Sequence, residues 1–178
     1  MDPLPAGNFS EWLRAMRSAL AGGPGMQVAC GECVGCCTSS YYIRIRPAER
    51  EALRRVPAEH LTEAPGEPPG TRLMGFDARG HCPMYRGGCS IYPHRPDTCR
   101  SYDCRVFAAA GINAGPGRDT INERVARWRF ELPTETDRRE QRAVLAAASF
   151  LRQHPVRFPG GHVPSRTSGW TRSRRLPV

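Results

Sequence analysis

Lysine is missing from the 178-residue chain: every one of its 26 basic residues is arginine. Beside abundant alanine, glycine and proline this bias reads as GC-rich coding, so basicity alone does not argue for an acidic partner. Long apolar runs are missing too. The longest nearly apolar stretch, Val144 to Leu151, has eight residues, against the roughly 20 that a membrane-spanning helix needs, and no transmembrane segment is expected. The opening residues, MDPLPAGNFSEW, hold an early acid and two prolines and lack a basic stretch followed by an apolar one. No secretory signal is therefore read there, and the cytoplasm is the expected location. No GxSxG elbow, phosphate loop, GxGxxG fingerprint or HExxH pair occurs, which leaves hydrolase, nucleotide-binding and metalloprotease readings without a motif. Internal repeats are absent.

What is present is a chain of ordinary hydrophobicity, 39% by composition, with 18 glycines and 17 prolines. That size suits one domain with a real core, and the glycine and proline content predicts a loop-rich body of short elements. We expect a single cysteine-cluster domain over residues 1–154, with a metal-binding core at 30–104 and C-terminal helices at about 118–154. A basic tail, expected to be largely disordered, covers 155–178. The charge is uneven. After Glu140 the chain has seven arginines and no acid, so the end is basic while the body is near neutral.

Periodicity places the elements. Phe9, Trp12, Leu13, Met16 and Leu20 recur at helical spacing over 9–21, with Gly22 and Gly23 as a stop. Tyr41, Ile43 and Ile45 alternate with polar or charged neighbours and predict a half-buried strand. A short helix follows Pro47 and ends before Pro57, and 57–70 reads as a loop. Two or three short strands are expected over Thr71–Tyr92, with turns at Arg79-Gly80 and Gly87-Gly88. A helix beginning near Pro96 is expected to carry both Cys99 and Cys104. Thr120 to Glu123 has a capping-box pattern, and Ile121, Val125, Trp128 and Leu132 share one helical face up to Pro133. Thr134 to Asp137 caps a second helix running to about His154, with Val144, Ala147, Ala148 and Leu151 inward. The fold class is α+β: a small cysteine-rich metal-binding domain of short antiparallel strands and loops, supported by N- and C-terminal helices.

The eight cysteines all fall between residues 30 and 104, in two groups: Cys30, Cys33, Cys36 and Cys37, then Cys82, Cys89, Cys99 and Cys104. A reducing compartment leaves thiols free unless a metal or a catalytic cycle uses them. Soft thiolates suit zinc, iron-sulfur clusters or copper(I). Cys30-x2-Cys33-x2-Cys36 has the spacing of three corners of a ferredoxin-type [4Fe-4S] cluster, although the x3-Cys-Pro continuation is missing. Zinc finds a CxxC knuckle in the first group and none in the second. Successive side chains of an extended backbone face opposite sides, so Cys36 and Cys37 do not easily serve one centre together. A redox dithiol at Cys33 and Cys36 is an alternative, and it leaves six cysteines unexplained.

Together the run Cys30-x2-Cys33-x2-Cys36-Cys37, Cys82-Pro83-Met84-Tyr85, Gly88-Cys89-Ser90-Ile91-Tyr92, Arg95-Pro96 and Cys99-Arg100-Ser101-Tyr102-Asp103-Cys104 resembles the YkgJ-type cysteine-cluster family. That family is described as a zinc- or iron-chelating domain, and related sequences include a flagellin lysine methylase thought to carry an iron-sulfur cluster. The resemblance implies that all eight cysteines are metal ligands and that the cofactor is an iron-sulfur cluster or zinc.

Around them, Arg86, Arg95, Arg100 and Arg105 are candidate donors to thiolate sulfur, with Arg95 and Arg100 singled out by position. His81 and His94 are lesser ligand candidates. Asp97 and Asp103 are read as capping or pairing groups. The expected function is a metal-binding protein with an accessory, metal-handling or electron-transfer role. The alternatives are an iron-sulfur-dependent redox or group-transfer enzyme, and a zinc-stabilised module that contacts nucleic acid or an acidic protein through the arginine-rich tail. No membrane partner is expected.

Overall fold

Asn8 begins the first helix by chemistry that is local: its side chain accepts from the Glu11 amide at 3.0 Å, satisfying one of the donors a helix start leaves open. In the computed structural model, which describes residues 2–157, this helix, α1, runs Phe9–Leu20. It is preceded by a strand, β1, Leu4–Asn8. Phe9, Trp12, Leu13, Met16 and Ala19 are buried along one face. Leu20, expected inward, is 73% exposed, because the inward stripe has rotated past it by the last turn.

The chain divides into two units. One holds the described residues up to Pro24 and from Asp103 onward; the other is Gly25–Tyr102. In the first, α1 is joined by α4 (Arg105–Ala109), α5 (Asp119–Arg127), β5 (Trp128–Glu131) and α6 (Glu135–Gln153). Strands β1 and β5 pair in parallel, Leu4 opposite Trp128 and Asn8 opposite Glu131. The core of this unit is an aromatic trio: Phe130 lies 5.0 Å from Phe9 and 4.9 Å from Trp12, centroid to centroid. Edge-on and tilted contacts of this kind add to the stabilisation from burial alone.

Three expectations change here. Strand β1 was not anticipated, since a proline and a glycine in five residues hide its extended character. Trp128 starts β5 and does not continue a helix. The capping box expected at Thr120 does not form: α5 begins at Asp119, with Arg118 as its N-cap and no side-chain cap. The box at Thr134 does form. Thr134 Oγ1 accepts from the Asp137 amide and Asp137 Oδ2 accepts from the Thr134 amide. Of the expected inward residues on α6, Val144, Ala148 and Leu151 are half-buried and Ala147 is exposed.

The second unit carries a three-stranded antiparallel sheet in the order β2-β4-β3, formed by Ile43–Ile45, Arg72–Met74 and Leu61–Glu63. Ile43 and Leu61 both face Met74 across the ladder. Strand β3 and a 3-10 turn at Ala58–His60 occupy part of the stretch read as a loop. Only one strand forms between Thr71 and Tyr92 among the described residues, with an isolated bridge from Tyr85 to Cys89. Helix α2 (Arg50–Arg55) sits where expected. Ile43, Ile45, Ala52, Val56, Met74, Met84 and Ile91 make the core, and Cys82, Cys89 and Cys99 pack against its margin. Helices and small sheets together make the fold mixed α+β, and no helix among the described residues is long and apolar enough to cross a membrane. The part of the basic tail after residue 157 lies outside the described residues.

Candidate metal centre

The first cysteine group is bent rather than extended. Cys33 donates its amide to the Cys30 carbonyl at 3.0 Å, closing a turn. Gly31 takes φ +55 there, a left-handed conformation that costs glycine little. Gly35–Cys37 then form one turn of 3-10 helix. In this geometry adjacent side chains no longer diverge by a full half-turn, and Cys36 and Cys37 come within hydrogen-bonding reach of each other. The opposite-faces expectation, which assumed extended backbone, does not apply.

Cys82 of the second group is tied to the first by the main chain. The Cys82 amide donates to the Cys37 carbonyl at 2.7 Å. Tyr85 closes back onto Cys82 at 2.9 Å, and Tyr92 onto Cys89 at 3.2 Å. Helix α3 (Asp97–Ser101) follows Pro96 and presents Cys99. Its first turn is tied down by Asp97, whose amide donates to Glu49 and whose carboxylate pairs with Arg46 at 2.6 Å. Cys104 is not on that helix; it is the N-cap of α4 and belongs to the other unit.

Electrostatics show which thiols are neighbours. The Cys37 side chain donates to Cys36 and holds the Cys36 thiol down at about 7. The same bond, with burial, pushes Cys37 up, and the charges of Cys36, Cys82 and Cys89 push it further. Burial raises Cys99 to about 12, with Cys82, Cys36 and Cys89 adding to the rise. Burial also raises Cys82, assisted by Cys89 and Cys36. Cys36, Cys82 and Cys89 thus all lie close enough to act on both Cys37 and Cys99, which makes five of the eight cysteines neighbours. Cys30 and Cys33 lie on the turn that leads into this group. Among the described residues, no three His, Cys, Asp or Glu side chains are already disposed around a point as a bound metal ion requires.

The arginines divide by what they touch. Arg95 lies over the Tyr92 ring, 4.0 Å from its centroid, and its charge favours the thiolates of Cys36 and Cys99. Arg86 donates to the carbonyls of Pro83 and Tyr85 and favours the thiolate of Cys82. Arg100 spends its fork on the carbonyls of Arg95 and Pro93, bracing the turn that carries Arg95. Arg105 is bound to Asp103.

Two histidines of the second group's stretch have contacts of their own. His94 Nε2 lies 3.0 Å from an Arg55 amino group, which can only donate, so that ring nitrogen is the acceptor. His81 stacks edge-on against Tyr85. One contact escaped the sequence reading altogether: the Trp128 indole N–H donates to Cys104 Sγ at 3.2 Å. No spacing rule relates these positions, because the packing of α4 against β5 brings them together.

A family described as "Putative zinc- or iron-chelating domain", with the signature CxxCxxCC, matches residues 29–124. More than half of the chain and all eight cysteines lie in that span, and the chain belongs to this family. Membership supports metal binding by this protein. Comparison with curated proteins and with solved structures produced no match.

Proposed function

We propose that the protein holds iron, as an iron-sulfur cluster, or zinc, through its clustered cysteines, and that it serves in metal handling or electron transfer. The observation that carries this reading is the 2.7 Å bond from the Cys82 amide to the Cys37 carbonyl, which joins a cysteine of the second group to one of the first. The donor chemistry fits. Thiolate sulfur is a soft ligand that zinc and iron both accept, and the five neighbouring thiols exceed the four that a tetrahedral ion or a cubane needs.

The raised thiols fit as well. Several half-buried sulfurs without a cation stay protonated, since thiolates at close quarters repel and partial burial penalises each charge. A divalent ion or cluster reverses both effects and deprotonates the ligands as it binds. Cys30 and Cys33, which belong to the family signature CxxCxxCC, complete the candidate ligand set. Arg95 and Arg86 temper the negative charge that four thiolates would leave on the bound metal.

The test is elemental analysis and visible absorption of protein purified without oxygen. Stoichiometric iron with a brown colour establishes the cluster; a colourless protein with stoichiometric zinc establishes the ion. A sample that is metal-free as prepared and takes up neither metal on titration overturns the reading.

A further inference from the structure

We infer that Arg86, Arg95 and Arg100 form a receiving surface beside the cysteine cluster for metal delivered as an anionic polycarboxylate complex; the inference rests on the metal-binding reading above and names the form in which the metal arrives. All three arginines lie on the loops that carry Cys82, Cys89 and Cys99, within the unit Gly25–Tyr102. Arg86 turns the chain between Cys82 and Cys89, its amide donating to the Gly88 carbonyl at 2.8 Å. Next to Arg95, the Pro96 carbonyl accepts from the amides of Cys99 and Arg100 at 2.8 and 2.9 Å.

These three charges have no counter-charge. Six other arginines of the same unit each pair with a carboxylate. Among the described residues, neither a carboxylate nor a cysteine sulfur accepts from Arg86, Arg95 or Arg100, whose guanidinium bonds all go to main-chain carbonyls. Those bonds fix the side chains and leave donors over. Arg86 uses Nη1 on Pro83 and Tyr85, and Arg95 uses Nη1 on Tyr92. In both, the Nε and Nη2 edge remains, a planar fork that grips a carboxylate through two parallel bonds. Arg100 uses Nε and Nη2 and keeps Nη1.

A bare divalent cation approaching the thiols would be repelled by this rim, whereas a complex of net negative charge is drawn to it. Cys36 is exposed, and the charge of Arg95 reaches both it and Cys99. An anion seated on the arginines therefore lies beside a thiol open to solvent. Transfer is ligand exchange with no change of oxidation state. Each metal–oxygen bond that breaks is replaced by a metal–sulfur bond, and the proton that each thiol gives up passes to the released carboxylates or to buffer.

The experiment follows zinc uptake by the full-chain apoprotein in a stopped-flow instrument, from zinc nitrilotriacetate, an anion, and from zinc terpyridine, a cation. Replacing the three arginines together, Arg86→Gln, Arg95→Gln and Arg100→Gln, should lower the ratio of the anionic to the cationic rate by about tenfold or more at low salt. Simple damage to the cluster would slow both donors alike, so an unchanged ratio overturns the inference. Should the triple variant not fold, the wild type decides: raising the ionic strength should slow uptake from the anion and not from the cation, and an equal response to salt overturns the inference. In either case the metal-binding reading survives as long as wild type takes up free zinc. A wild type that takes zinc from neither complex nor from free zinc overturns that reading and the inference with it.

Discussion

The amide of Cys82 and the carbonyl of Cys37 are 2.7 Å apart, although 44 residues separate them along the chain. Being a backbone bond, it does not depend on either thiol. Cys82→Ala and Cys99→Ala should therefore retain the fold, seen as an unchanged far-ultraviolet circular dichroism spectrum, while lowering the metal content of the purified protein. Full metal occupancy in both variants would remove these two sulfurs from the ligand set.

Proton competition sets the pH dependence of metal uptake. Cys37, Cys82 and Cys99 are all raised above the ordinary thiol range, Cys99 to about 12, so at neutral pH they carry protons that a metal must displace. Affinity should rise with pH between 6 and 8, by up to about tenfold per unit for each protonated thiol that ligates. Calorimetry in buffers of different ionisation enthalpy will count the protons released. An affinity that is flat with pH would contradict ligation by these thiols.

Asp137 makes the unit that contains α1 and α6 sensitive to acid. Hydrogen bonds from Ser10 and Thr134 hold its carboxyl well below the usual carboxylate range. A group depressed on folding stabilises the folded state above its unfolded value, about 3.9, and that contribution disappears as pH falls through the folded value. Denaturation followed below pH 4 should show progressive loss of stability, and Asp137→Asn should flatten that dependence while lowering stability at pH 7.

The pair Asp103–Arg105 is buried, with side chains 0% and 13% exposed and 2.7 Å between them. Removing one partner strands the other charge. Asp103→Ala should cost about 3 to 5 kcal/mol, measured as a shift of the urea midpoint. A loss under about 1 kcal/mol would mean that the guanidinium finds water or another partner.

Ile45 is fully buried in the core beside the cysteine groups. Ile45→Ala should cost about 2 to 5 kcal/mol. Because Cys82, Cys89 and Cys99 line the same core, metal affinity should fall with it; affinity that is retained at reduced stability would show that the thiol group is organised independently of this packing.

Much of this architecture could be read directly from the chain. The amphipathic stripe of α1, the alternation at Ile43 and Ile45, and the box at Thr134 are local patterns, and local patterns survive folding because neighbouring residues alone satisfy them. The cysteine signature was equally visible, and the family it marks was recognisable from its spacing. Strand β1 was not legible, because a five-residue strand containing proline and glycine is stabilised by its partner rather than by its own propensity. The same is true of Trp128, whose helical spacing gave way to pairing with Leu4.

The sequence by itself determined the ligand chemistry, the class of fold and the family, since these depend on which side chains are present and how they are spaced. Only the tertiary structure decided which thiols are neighbours, that Cys36 and Cys37 share a hydrogen bond, and that an indole reaches Cys104. The first and last of these relationships are set by backbone hydrogen bonds and packing between distant segments, whose partners are not specified by distance along the chain, and the Cys36–Cys37 contact is set by the 3-10 turn that replaces extended backbone there.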